Sequence, residues 1–203
     1  MPLTTTTRLQ AVNTMLATIG SAPVNQLTGP NAPNSADVAM AMNTLDEVSL
    51  NVQSRGWHFN TEEDVTLSPD PVTKEIVLAP NIVMVDVDYP DNQGLDITMR
   101  GAKMYNRKTN SLQFDGPVEK VRLIRILEWD DLPQAARHYI TIRAARIFQD
   151  RTVGSDKHHT YTQQDEIIAL SNLKKYEGET ADHSIFDNYD VYRVIDRRYP
   201  YQI

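Results

Sequence analysis

The chain has 203 residues, 40% of them hydrophobic, and a formal net charge of −7 at pH 7. That length suits one compact domain, or one core carrying a smaller subdomain. The charge argues against a sequence-independent binder of duplex DNA, which needs basic surface to displace phosphate counterions. With no cysteine present, disulfides, thiolate catalysis and cysteine-ligated zinc or iron–sulfur centres are excluded. No stretch approaches the roughly 20 consecutive apolar residues of a membrane-spanning helix. "MPLTTTTRLQAV" lacks a basic region followed by an apolar block, so no secretory signal is expected.

The first predicted element is a helix over 6–19. Leu9, Val12, Leu16 and Ile19 recur at three- and four-residue spacing, the threonine run offers an N-cap and Gly20 a stop. "SAPVNQLTGPNAPNS" reads as a loop. A second helix over 35–55 carries Val38, Met42, Leu45, Val48 and Val52 on one stripe, with Ser35 or Asn34 as cap and Gly56 as terminator. Trp57 and Phe59 then fall on one side of an extended segment and seal the end of the helical core. From 57 to 129 the period changes to two. Strands are expected at 57–60, 64–67, 75–79, 82–88, 95–99, 103–106, 111–114 and 118–128, separated by "SPDP", "YPDNQG", "NRKTN" and "DGP". "KMYNRKTNSLQF" reads as a hairpin with a polar tip. A third helix begins after a cap at Asp130 or Asp131, with Pro133 in its first turn and Gly154 at its end. A fourth follows the polar loop "SDKHHTY", with Thr162 and Asp165 as a capping box and Gly178 as its end. The last 25 residues hold four tyrosines and no helical stripe, and read as an extended arm.

The expected fold is therefore α+β. Helices in 1–56 and 130–178 form one helical body, 57–129 is an inserted β-rich subdomain, and 179–203 is a tail.

Candidate chemistry is sparse. Neither GxxxxGK[ST] nor GxGxxG occurs. His58, between two aromatics, has no local partner for nucleophilic catalysis and reads as a packed or surface residue. Glu62, Glu63 and Asp64 could supply the carboxylate pair of a glycosidase, though adjacent acids more often form a solvated edge. His158 and His159 near Asp156 lack any metal-ligand spacing such as HExxH. No catalytic residue, cofactor or metal is expected.

Two features carry more weight. The third helix is basic within an acidic chain: Arg137, Arg143, Arg146 and Arg151 stand against Asp150. Intrachain pairing and an ion-pair interface with another copy or a partner both account for them. The tail interleaves Tyr189, Tyr192, Tyr199 and Tyr201 with Arg193, Arg197 and Arg198. Tyrosine and arginine are enriched at protein interfaces, while an aromatic tail can also fold back on its own domain.

Three blocks, "LQAVNTMLATIGSAPVNQL", "NVQSRGWHFNTEEDVTLSPD" and "LEWDDLPQAARHYITIRAARIFQDRTVGSD", resemble in order and spacing the tail tubular protein A family of short-tailed bacteriophages. The resemblance covers roughly residues 8–178. It implies a head-to-tail adaptor of the virion: a dodecameric ring between the portal protein and the tail nozzle formed by tail tubular protein B. The β-part would contribute to the tail-side surface and to tail-fibre attachment, and DNA would pass through the central channel. On that reading Gly56, Trp57 and Phe59 mark the junction between helical body and β-subdomain. The rival readings are a virion-associated hydrolase of cell-wall or capsular polysaccharide, and a host-directed interaction protein made early in infection.

Overall fold

The computed structural model describes residues 4–29, 35–87, 94–154 and 156–180, with side chains in the last stretch described from 163 onward. The chain is mixed α+β. It runs α1 (Arg8–Thr18), α2 (Ala36–Gln53), β1 (Thr61–Leu67), β2 (Ile82–Val87), β3 (Ile97–Arg100), β4 (Lys103–Asn106), β5 (Val118–Arg125), α3 (Gln134–Thr152) and α4 (Asp156–Thr180).

Local chemistry explains most of the boundaries. Thr7 accepts a hydrogen bond from Gln10 N at 3.2 Å, and Gln10 Oε1 accepts one from Thr7 N at 2.9 Å, a reciprocal capping box that starts α1. Ser35 stands at the N-cap of α2 without a side-chain cap bond. The third helix starts later than expected. Pro133 disfavours helical geometry at the residue before it, and Leu132 is extended with ψ 141. Asp130 and Asp131 therefore lie in a short 3₁₀ turn at Trp129–Asp131, and Pro133 itself occupies the N-cap.

The fourth helix differs more. It begins at Asp156, six residues ahead of Thr162, so Thr162 is inside the helix and no cap. Gly154, at φ 64, ends α3, and the polar run after it joins the helix instead of forming a loop. Gly178 does not stop α4, which continues to Thr180; a helical glycine costs only about 1 kcal/mol.

The strands form two antiparallel sheets, one ordered β1-β5-β2 and one pairing β3 with β4. Residues 75–79 and 111–114 are not strands. They contribute the isolated bridges Glu75↔Gln113, Val77↔Lys103 and Asn106↔Ser111. The last of these closes the polar tip, with Asn110 at φ 53, but the strand partner of β4 is β3. Residues 57–60 are not a strand either: His58–Asn60 form a 3₁₀ turn. The β1–β5 register slips twice, between Glu62 and Val65, where Asp64 takes positive φ, and between Val65 and Leu67, opposite which Lys120 does, the signature of β-bulges where the edge strand β1 pairs.

Apolar side chains collect in two cores. The helical one includes Val12, Leu16, Leu45, Val52, Tyr139, Ile140, Phe148 and Leu173. The other gathers Ile76, Leu78, Ile82, Val85, Met104, Phe114, Val121 and Leu123 around the strands. Helix α3 is central to the helical part, packing on α1, α2 and α4.

Candidate functional site

The link between the two cores is built from the stretch "QSRGWHFN". Helix α2 ends at Gln53, and Gly56 at φ 71 reverses the chain. A Cβ at this position would stand 2.6 Å from Ile124 Cδ1, so glycine serves both the backbone turn and the close approach of β5. Trp57 and Phe59 stack with centroids 6.5 Å apart and planes 6° from parallel, and both pack on the helical core. The expected placement on one side is realised through a 3₁₀ turn, not an extended segment.

Two buried amides hold this turn. Gln53 is fully buried and Asn60 is 3% exposed. Gln53 Oε1 accepts from Leu127 N at 2.8 Å, and its Nε2 donates to Leu127 O at 3.2 Å and Ser49 Oγ at 3.0 Å. Asn60 Oδ1 accepts from Trp57 N at 2.8 Å, while its Nδ2 donates to Gln53 O and Arg125 O, each at 2.9 Å. Trp57 Nε1 donates to Val52 O at 2.7 Å. Chain leaving the helix and chain returning from β5 thus complete each other's backbone hydrogen bonding, as buried polar groups require. Sequence reading singled out Gly56, Trp57 and Phe59. It did not single out Gln53 and Asn60, although both stand in the quoted block.

Beside the junction lies a cavity of about 510 Å³ lined by Trp57, His58, Glu63, Arg122 and Glu177 among others. The backbone N–H of His58 donates to Glu177 Oε2 at 2.6 Å, tying α4 to the turn. Glu62 is held apart from its acidic neighbours by a two-point pair with Arg125, at 2.8 and 3.0 Å. That hydrogen bonding keeps its carboxyl below the usual glutamate range, the opposite of what a glycosidase's general acid needs. Glu63 lies 3.8 Å from Arg122. Among the described residues no group of three or more His, Asp or Glu is placed to hold a metal ion.

The four arginines of α3 all have partners within the chain. Arg137 is 5% exposed and donates to the carbonyls of Leu132, Asp130 and Thr6 and to Thr5 Oγ1. Arg143 donates to Tyr139 Oη at 2.9 Å and lies 3.5 Å from Glu166. Arg146 bonds Glu166 and Asp150. Burial lowers its affinity for the proton, but the bond and charge of Glu166 with those of Asp150 outweigh this, and its pKa is raised. Arg151 forms a two-point pair with Glu47 on α2 at 2.7 and 2.9 Å, and has half its side chain exposed. Tyr189, Tyr192, Arg193, Arg197, Arg198, Tyr199 and Tyr201 lie outside the described residues.

The family model for tail tubular proteins matches residues 9–183, spanning the helices, the strands and the junction between them. The chain belongs to the tail tubular protein family. Membership makes it a structural protein of the bacteriophage tail, carried in the virion and assembled there with other tail components. Among curated proteins, none matches the chain. No helix among the described residues is long and apolar enough to cross a membrane.

Proposed function

We propose that this tail tubular protein is a head-to-tail adaptor that assembles as a dodecameric ring between the portal protein and the tail nozzle of tail tubular protein B, with a channel through which DNA passes without sequence-specific binding. Assembly takes place in the cytoplasm of the bacterial host, and the β-rich part carries the tail-side surface and any tail-fibre contact. The observation that carries this reading is the family match, which crosses both apolar cores. The Gln53–Asn60 network supports it physically. A connector bears different partners at its two ends, so its parts must keep a fixed relation, and buried, satisfied amides supply one.

The helices of 1–56 and 130–178 form the ring body, 57–129 the inserted β-subdomain, and 179–203 the tail that reaches the portal. Arg137, Arg143 and Arg146 act as internal struts of the body. Arg151, half exposed, and the tail's tyrosines and arginines meet partners. The test is to mix the purified chain with the portal ring of the same phage and measure the mass of the product. A complex carrying a full ring of this chain is expected. No complex, with both components folded, refutes the adaptor reading.

A further inference from the structure

Helices α2 and α4 flank the central helix α3 and make no substantial contact with each other. Each buries one side and leaves the opposite side open. On α4 the open side carries Ile168, Ser171 and Lys175 at three- and four-residue spacing, with Ile167 and Lys174 beside them. Both isoleucines are 59% exposed, unusual for side chains of this size on an amphipathic helix. On α2 the open side carries Met40, Asn43, Glu47 and Leu50 at the same spacing, with Asp46 at its margin. Met40 is 42% and Leu50 49% exposed. Helix α2 has three carboxylates and no cation. Asp46 and Glu47 keep 60% of their side chains exposed although Arg8 and Arg151 bind them.

We propose that these two faces are the complementary halves of one contact between neighbouring copies, α4 of one against α2 of the next. This deepens the ring reading and rests on it. A closed ring with more than two members needs heterologous contacts, in which one patch meets a different patch on the next copy. The faces meet that demand. Each carries exposed apolar side chains, Ile167 and Ile168 on α4 and Met40 and Leu50 on α2; α4 adds the amines of Lys174 and Lys175, the latter 3.8 Å from Glu179 on its own helix, and α2 adds the carboxylates of Asp46 and Glu47. Pairing of α2 with α2 is disfavoured by the same charges, since it sets Asp46 and Glu47 against their own copies. Two-point pairing with Arg151 fixes the Glu47 carboxylate on the outer face, so a neighbour's lysine meets a preset acceptor.

The natural absence of cysteine makes the test direct. A double variant, Leu50→Cys with Ile168→Cys, is assembled on the portal ring and treated with a flexible thiol-specific linker. It is expected to give a ladder of covalent multimers, whereas each single variant stays monomeric under denaturation. Separately, Ile168→Asp with Lys175→Glu, both at exposed positions, is expected to retain wild-type helical content. Its ring formation should need about tenfold more protein, the equivalent of roughly 1.4 kcal/mol per contact. A ring of normal mass from the double-cysteine variant without a ladder, with the charge variant assembling at wild-type concentration, overturns this contact and leaves the ring standing. A wild-type chain that forms no ring overturns both.

Discussion

Replacing Asn60 by alanine tests the junction most sharply. The substitution removes three hydrogen bonds at once, to Trp57 N, Gln53 O and Arg125 O, in a region where Asn60 is 3% exposed; Gln53 O keeps only its bond from Gly56 N at 3.1 Å. Each bond is worth about 1 kcal/mol net, and abandoning a buried backbone group costs about 1–3 kcal/mol, so the expected loss is about 3 kcal/mol or more. For a chain of this size that lowers Tm by about 6–12 °C. Asn60→Asp is the informative companion. It keeps the shape and the acceptor for Trp57 N, but turns a carboxylate oxygen toward two carbonyl oxygens. It should cost at least as much as alanine despite being nearly isosteric. Urea and thermal unfolding, followed by far-ultraviolet circular dichroism and tryptophan fluorescence, measure both variants. Because the amide couples two separate cores, the variants should also broaden the transition as the helical and β parts unfold less cooperatively. Stability of either variant within about 0.5 kcal/mol of wild type, well below the cost of one lost buried bond, refutes the reasoning.

Gly56→Ala should destabilise by about 1–2 kcal/mol, from the positive φ and the encounter with Ile124; adding Ile124→Val, which removes Cδ1, should make the double variant less unstable than the sum of the singles in a mutant cycle. Arg146→Ala leaves Glu166, whose side chain is 14% exposed, with Arg143 alone at 3.5 Å, and should cost about 2 kcal/mol in urea unfolding; Arg146→Met with Glu166→Leu should recover most of it. Arg125 holds the folded-state pKa of Glu62 below its ordinary value, so the stability this pair contributes is present above the ordinary glutamate range and lost as pH falls through the lowered value. The gap between wild type and Glu62→Gln should therefore close on acidification, read from unfolding midpoints across that range, and a gap that widens there contradicts the sign. Removing residues 181–203 should weaken attachment to the portal in a pull-down without changing the helical content of the remaining chain, and unchanged attachment overturns the role given to the arm.

Much of this was legible in the sequence, for identifiable reasons. The apolar stripes of α1 and α2 repeat at helical spacing, and Gly20 and Gly56 both take the positive φ that ends those helices. The change to a period of two marked where the strands lie, and the mixed α+β class followed from it. What escaped depends on contacts distant in the chain. The first two turns of α4 are polar throughout, so no stripe announces them. Gln53 and Asn60 look like ordinary surface amides until strand β5 brings Leu127 and Arg125 back, 74 and 65 residues later, with unpaired backbone groups. The arginines of α3 posed a choice between partners inside and outside the chain. Glu47 lies 104 residues from Arg151 and Glu166 lies 20 from Arg146, and no local rule selects them.

The arrangement of charge joins these details to the proposed role. Arg8, Lys74, Lys103, Arg125, Arg146 and Arg151 each lie within 3.1 Å of a carboxylate, and Arg137 is buried among carbonyls. Cations so engaged act as struts between elements and have fewer donors left for phosphate. The carboxylate surplus behind the net charge of −7 then sets the outward field, and a ring multiplies it by its copy number. Such a field repels a polyanion at short range and decays within about 10 Å at moderate salt. On the proposed reading, that combination lets DNA move through the channel without adhering to its wall. The proposed contact between neighbours is compatible with it, because the exposed apolar side chains of the α2 and α4 faces do not depend on the field. On that reading, transport follows from where the cations are held, and assembly from where the exposed isoleucines, methionine and leucine stand.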